Sequence, residues 1–131
     1  MSNEINLTIK TPTKELFSGM VSKVVLPTMS GIITVLPGHA NIITLIDVGI
    51  IEYGDTKDSH FLCIKGTARI AHNEVLILTE EAALPDKDKL EEIAAAVRAA
   101  QEGRPVSNLL AADLLRAEKE LRAYLLKHKS I

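Results

Sequence analysis

The side chains in this chain that could carry out chemistry are four histidines (His39, His60, His72 and His128) and a single cysteine, Cys63. Imidazole and thiol groups serve as metal ligands, general bases or nucleophiles when several of them converge. His60 and Cys63 are close in sequence, but their odd spacing in a strand places them on opposite faces, so they cannot share a metal ion. The phosphate-binding GxxxxGK[ST], GxSxG and HExxH patterns do not occur. We therefore expect no catalytic residues and no metal site.

His39 stands out among the histidines because it closes a turn between two apolar runs, residues 32–36 and 41–46. Pro37 fixes φ near −65° and Gly38 accepts a positive φ, which is the combination that a type II turn requires. The chain should reverse here and hold the imidazole at one end of a β structure. Two compatible interpretations remain: a histidine bonded to nearby backbone carbonyls, or one that contacts a partner. An enzyme that uses this turn is a much weaker possibility.

The composition is that of an ordinary globular domain of 131 residues, with 47% apolar and 24% charged side chains. A formal net charge of −2 gives no electrostatic reason to bind nucleic acid. Four Phe and Tyr residues are too few for a base-stacking platform. One cysteine excludes an internal disulfide and favours a reducing compartment. No secretory signal or membrane-spanning run is apparent.

The chain changes period at Pro85, which suggests two modules. Before it, short runs rich in Val, Ile and Thr alternate with turn signals, and Ile5, Leu7 and Ile9 show the period of a half-buried strand. This pattern predicts a β-sandwich over residues 1–84. Several runs are apolar on successive residues, which suits strands covered on both faces.

After Pro85 the apolar residues follow helical spacing, and residues 85–131 should form an antiparallel two-helix hairpin. Asp86 or Asp88 can cap the first helix, and Gly103 can end it. The second helix should begin near Ser107. Its apolar seam repeats in steps of three and four, over Leu110, Leu114, Ala117, Leu121 and Tyr124.

The order and spacing of these features resemble the epsilon subunits of F-type ATP synthases. The residues that carry the resemblance are Thr11-Pro12, Phe17-Ser18-Gly19, Val24-Val25-Leu26-Pro27, Gly31, Leu36-Pro37-Gly38-His39-Ala40, Leu45, Gly49, Gly66 and the run from Asn73 to Ala82. The resemblance implies a sandwich of about ten strands and a helical hairpin. It also implies a non-catalytic rotor subunit of a proton-translocating complex, which couples rotation of the c-ring to the gamma subunit for ATP synthesis. Such a subunit would lie peripherally on the cytoplasmic face of a bacterial plasma membrane, held there only through the complex.

The same resemblance assigns three groups of contact residues. The gamma subunit should be contacted by Thr11, His39, Ile42 and Thr44, and the c-ring by Thr28, Met29, Ser30 and Gly31. The hairpin would be a regulatory arm that extends toward the catalytic alpha and beta subunits and restrains ATP hydrolysis through Arg116, Lys119 and Arg122.

Two departures from the family pattern alter these expectations. Ile32 stands where many members carry an acidic residue, so the c-ring contact should lack that charge. Some bacterial members bind ATP through Ile/Leu-Asp-x-x-Arg-Ala at the start of the first helix. The position of that arginine is Lys89 when counted from Asp86 and Glu91 when counted from Asp88, so we expect no bound cofactor.

A rival interpretation from another class is a free-standing β-sandwich adaptor whose hairpin binds a partner helix. Co-purification separates the two, because only the rotor interpretation requires gamma and c subunits.

Overall fold

The computed structural model describes residues 4–54, 60–104 and 110–127. In these residues eight β-strands are followed by two α-helices. The elements are β1 (Ile5–Lys10), β2 (Glu15–Val21), β3 (Val24–Thr28), β4 (Gly31–Val35), β5 (Ile42–Ile46), β6 (Gly49–Tyr53), β7 (His60–Ala71), β8 (Glu74–Ala83), α1 (Lys87–Gln101) and α2 (Ala111–Lys127). The expected β-sandwich followed by two helices is confirmed.

The strands wrap around one core to which all eight contribute. Their order is β2-β1-β8-β7-β5-β3-β4, with β6 bridging β3 and β7, so that β3, β5, β7 and β6 form a closed circuit. Neighbouring strands are antiparallel except for β1 and β8. The alternation over Ile5, Leu7 and Ile9 is confirmed, because these three side chains are buried in the core.

The strand count is eight in the described residues, not about ten, and β7 supplies one reason. Gly66 is a turn signal in the sequence and predicts separate strands over residues 60–64 and 67–71, but both runs belong to one strand that passes through Gly66. Its first part pairs with β6 and its second part with β5. Strand β7 thus changes its neighbour along its length but stays one continuous strand, although Gly66 suggests a break.

The first half of β7 separates two apolar clusters. Phe61 and Cys63 point into the sandwich core, whereas Leu62 and Ile64 point to the opposite side and pack with the helices. Alternation along a strand produces this division. The helices therefore cover the outer face of the sandwich beside β6 and β7, and a second cluster is buried there.

Helix α1 begins and ends where the sequence indicates. Asp86 is its N-cap, and the carboxylate accepts a hydrogen bond of 2.8 Å from the backbone N–H of Lys89. Gly103 follows the helix with φ +77°. The expected module boundary between residues 84 and 85 falls in the connection between β8 and α1.

Helix α2 confirms most of the predicted seam. Leu114, Ala117 and Leu121 are buried, and Tyr124 packs at the edge of the same cluster. Leu110 was expected in this seam, but it is 66% exposed because it precedes the first residue of the helix, Ala111. The predicted start near Ser107 lies outside the described residues.

Candidate functional site

The Pro-Gly turn has the predicted type II character and is fixed by hydrogen bonds. The backbone N–H of His39 donates to the carbonyl oxygen of Leu36 at 3.1 Å, and Gly38 has φ +87°. The N–H of Gly38 donates to Oδ1 of Asn73 at 2.7 Å. The imidazole Nδ1 of His39 donates to the carbonyl oxygen of Ala40 at 2.7 Å. The backbone-bonded interpretation of this half-buried histidine is thus confirmed.

A second turn is tied to the first at the same end of the sandwich. His72 and Asn73 connect β7 to β8 with φ of 51° and 61°. The N–H of His72 donates to Oδ1 of Asn41 at 3.3 Å, in addition to the bond between Asn73 and the Pro-Gly turn. Asparagine tolerates this left-handed backbone and supplies an amide side chain for cross-links. The two loops are therefore cross-linked at this end of the sandwich.

The residues expected to contact a gamma subunit are not all brought together. Lys10, which precedes Thr11, pairs with Leu78, whereas the start of β1 reaches the His72–Asn73 turn beside His39. Thr11 and His39 therefore lie at opposite ends of β1, on the order of 15 Å apart. Ile42 lies near the His39 end and Thr44 at the middle of β5.

On β5 the two faces differ strongly in exposure. Ile42 and Thr44 share the side of the strand that ends in buried Ile46, and Ile42 is 36% exposed. Ile43 and Leu45 point the other way and are 77% and 58% exposed. The sequence signal for this apolar surface is β5 itself, which is apolar at every position except Thr44 and therefore predicts a cover on both faces.

The expected c-ring loop is a tight hairpin between β3 and β4. The hydroxyl of Thr28 donates to the carbonyl oxygen of Gly31 at 2.5 Å and accepts from the N–H of Ser30 at 3.2 Å. The N–H of Met29 donates to the carbonyl oxygen of Leu45 at 3.1 Å. The loop is thus held by three hydrogen bonds, and it presents the side chain of Met29, which is 60% exposed.

A groove of about 630 Å³ connects this loop with the C-terminal end of β1. Thr11, Met29, Leu45 and Leu78 line it, together with charged residues of the neighbouring strands. Leu45 and Leu78 flank Thr67 across neighbouring strands, so the apolar lining crosses the sheet. Exposed apolar surface of this kind marks interaction sites. We call it the apolar groove.

The three basic residues assigned to the arm have different environments. Arg116 donates from its guanidinium to Oδ2 of Asp47, in the connection between β5 and β6. Arg122 donates to Glu118 on its own helix at 3.1 Å. Lys119 is exposed on α2. Arg116 is therefore engaged with the sandwich in this arrangement.

The Asp47–Arg116 pair perturbs the carboxylate. The hydrogen bond from Arg116 is the main cause that lowers the pKa of Asp47 below its usual 3.8, against the opposing effect of burial. The backbone N–H of Val48 and the charges of Arg116 and Lys65 lower it further. Lys65 itself lies 3.6 Å from Asp113 of α2.

A histidine that sequence reasoning did not single out for this purpose joins β7 to α2. Nε2 of buried His60 lies 3.1 Å from Oε1 of Glu52, and its Nδ1 lies 2.7 Å from the hydroxyl of Tyr124. The imidazole and phenol rings meet edge to face with centroids 5.3 Å apart. His60 thus helps to hold the helix in place.

The thiol of Cys63 is engaged in the packing of the sandwich core. Cys63 is buried, which raises the pKa of its thiol to about 11, and the thiol donates to the hydroxyl of Thr79 at 3.1 Å. His60 and Cys63 point to opposite faces of β7, as predicted. Across residues 4–54, 60–104 and 110–127, no cluster of three or more His, Cys, Asp or Glu could hold a metal ion. Neither helix in that range is long and apolar enough to cross a membrane.

Exposed apolar surface such as the apolar groove is typical of proteins that bind other proteins. Residues 4–85 match the family model "ATP synthase, Delta/Epsilon chain, beta-sandwich domain". The chain belongs to this family.

Individual relatives extend the match into the helices. The ATP synthase epsilon chain of Campylobacter curvus is 34% identical over 127 residues, which cover 92% of this chain and 98% of the relative. The chloroplastic ATP synthase epsilon chain of Pelargonium hortorum is 40% identical over 80 residues. That alignment spans only 60% of the chloroplastic protein and 60% of this chain.

Solved structures support the same fold. A chain in the mitochondrial ATP synthase of Euglena gracilis superposes with a TM-score of 0.70 at 23% identity, covering 95% of this chain and 83% of that one. A chain in the central stalk and c-ring of the Tetrahymena thermophila enzyme gives a TM-score of 0.62 at 18% identity, covering 92% and 95%.

Proposed function

We propose that this chain is the epsilon subunit of an F-type ATP synthase, a non-catalytic part of the central stalk that couples c-ring rotation to the gamma subunit. The observation that carries the proposal is the 34% identity to a bacterial epsilon chain over 98% of that relative's length. A subunit in this position would lie peripherally at the cytoplasmic face of a bacterial plasma membrane, held by the complex.

Torque transmission requires a stiff subunit, and two features of the sandwich favour stiffness. Its strands close into a circuit through β3, β5, β7 and β6. Its end loops are cross-linked by the side chains of Asn41 and Asn73. A closed ladder has fewer free edges along which strands can slide.

For the gamma contact we propose Thr11, His39, Ile42 and Thr44, with the exposed Ile43 and Leu45 of the same strand as an additional surface. Alternate residues of β5 face opposite ways. Ile42 and Thr44 therefore define one possible contact face of the strand, and Ile43 and Leu45 define the other. The greater exposure of Ile43 supports its side as the larger part of the contact.

Toward the c-ring we propose the Thr28–Gly31 hairpin. Its hydrogen-bonded backbone and the exposed side chain of Met29 support an apolar contact. Ile32, which follows the loop, is 76% exposed and extends this apolar character.

Co-purification tests the central proposal. Tagged chain expressed with ATP synthase subunits should retain gamma and c subunits after detergent extraction and washing. The adaptor alternative predicts that the chain elutes without either. Retention of an unrelated helical protein in place of gamma and c would favour the adaptor.

A matched pair of variants tells the two β5 faces apart. Ile42→Asp and Ile43→Asp introduce the same charge at adjacent positions, and burial of an unpaired carboxylate in a contact costs several kcal/mol. We expect Ile43→Asp to weaken gamma binding more, by about 100-fold or greater. A larger loss from Ile42→Asp would assign the contact to the opposite face.

The arm proposal assigns Arg116, Lys119 and Arg122 to acidic surfaces of the catalytic alpha and beta subunits. Changing all three to Ala should raise ATP hydrolysis by the assembled complex and leave assembly intact. The Lys119→Ala/Arg122→Ala variant is the control that retains the Asp47 link of Arg116. Unchanged hydrolysis in both variants, at low as well as high salt, would show that these bases do not restrain hydrolysis.

A further inference from the structure

The surface between helix α2 and the sandwich carries two charge pairs of opposite polarity. Asp47 of the sandwich accepts from Arg116 of the helix, and Lys65 of the sandwich lies 3.6 Å from Asp113 of the helix. Asp113 and Arg116 are three residues apart, so they lie within one turn. Along the helix, a negative group, Asp113, is followed by a positive one, Arg116. The sandwich places a positive group, Lys65, opposite the first and a negative one, Asp47, opposite the second.

Burial makes these pairs more consequential than ordinary surface ion pairs. The side chain of Asp47 is 19% exposed and that of Asp113 is 10% exposed, while their basic partners reach solvent. A carboxylate held at low exposure loses water on docking and depends on its partner. A helix that docked one turn out of place would set these carboxylates against the wrong neighbours.

The apolar part of the same interface is small and separate from the sandwich core. On the sandwich side it consists of Val48, Leu62 and Ile64, with Ile50 at its margin. The core cluster of the strands contains no helix residue. Undocking of the helices would therefore leave that core intact.

We propose that the Asp47–Arg116 and Lys65–Asp113 pairs form an electrostatic latch that holds α2 on the sandwich in one register and opens without unfolding the strands. In the docked arrangement the guanidinium of Arg116 donates to Asp47. This contact must break when α2 leaves the sandwich, so undocking frees those donors of Arg116 for another carboxylate. This role in restraining the arm rests on the proposed function, whereas the latch itself is a property of the isolated chain.

Hydrogen–deuterium exchange on the isolated full chain tests the latch without any partner. Two helices alone are marginally stable in water, so undocking should speed exchange in residues 111–127. Asp47→Asn keeps the shape of the side chain and removes its charge. We expect about fivefold faster exchange in α2, equivalent to ~1 kcal/mol. Residues 5–10 and 74–83 of the sandwich should exchange at the parent's rate.

A matched control and a double variant identify the cause. Glu118→Gln also removes one carboxylate, but from a pair within α2, so it should change exchange less than about twofold. Arg116→Gln should match Asp47→Asn, and the double variant should remain near fivefold instead of reaching about 25-fold. Added salt should speed α2 exchange in the parent more than in the double variant.

Two results of these exchange measurements would overturn the latch. Equal exchange in Asp47→Asn, Arg116→Gln and the Glu118→Gln control would overturn the latch, as would fully additive effects. If Asp47→Asn also loosens the strands, Arg116→Gln decides, because its side chain is 49% exposed and lies outside the core. Failure of gamma binding with an intact latch would count against the proposed function only.

Discussion

Gly66 leaves no room for a Cβ atom, and its replacement by alanine is a direct test of how β7 and β8 pack. A Cβ atom at this position would lie 2.2 Å from the carbonyl oxygen of Leu78 and 2.9 Å from Cα of Thr79. Both neighbours belong to the backbone of β8, which pairs with β7 here. A backbone ladder cannot rotate out of the way as a side chain can, so the two strands would have to separate.

The expected loss follows from that displacement. Overpacking a filled site costs about 1–3 kcal/mol, and more where backbone must move. Each ladder hydrogen bond weakened at the same time contributes about 1 kcal/mol. We therefore expect Gly66→Ala to lower the free energy of unfolding by about 3 kcal/mol or more, which is a large part of a small domain's stability.

Urea unfolding followed by far-UV circular dichroism measures this loss as a shift in midpoint at constant slope. Gly38→Ala is the matched control, because Gly38 has φ +87° but nothing within 4 Å of its Cβ position. That variant should lose only the left-handed backbone cost, about 1–2 kcal/mol. A Gly66→Ala variant no less stable than Gly38→Ala would refute the close approach of the two strands.

Three further predictions concern charge, capping and modularity. Because the pKa of Asp47 is lowered in the folded state, its contribution is present above the usual value of 3.8 and is lost as pH falls through the folded value. The parent's free energy of unfolding should therefore fall more steeply than that of Asp47→Asn below about pH 4, and parallel curves would contradict this. Asp86→Ala should cost about 1 kcal/mol by removing the N-cap, measured by thermal unfolding, whereas Asp88→Ala, one residue inside α1, should cost less. A chain that ends at Leu84 should unfold cooperatively and bind a hydrophobic dye more strongly than the parent, because the apolar surface under the helices becomes exposed. Loss of its cooperative transition would count against two modules.

Local rules account for the features that the sequence predicted well. Pro37 and Gly38 produce the type II turn, Asp86 caps α1, and Gly103 follows its end, because each depends on backbone preferences within a few residues. The helical seam through Leu121 follows from the same short-range periodicity. The change of period at Pro85 likewise separates strands from helices without reference to any distant residue.

Boundaries were less predictable where local signals conflict. Strand β2, Glu15–Val21, does not show clean alternation, and its sequence did not predict it as a separate strand. Gly66 suggested a break, but close contact with β8 demands a glycine inside a continuous strand. Only the neighbour's backbone, about a dozen residues away in sequence, distinguishes these two roles of glycine.

Long-range geometry decided the sites themselves. The sequence identified Arg116 as a basic helix residue, yet its partner Asp47 lies 69 positions earlier, and only folding joins them. Folding also sets Thr11 and His39 at opposite ends of the sandwich although the family resemblance grouped them. In β5 both faces are apolar, so periodicity cannot say which is covered. The tertiary structure leaves Ile43 exposed because no other element of the described chain covers that side, and burial depends on what packs there and not on the strand's own sequence.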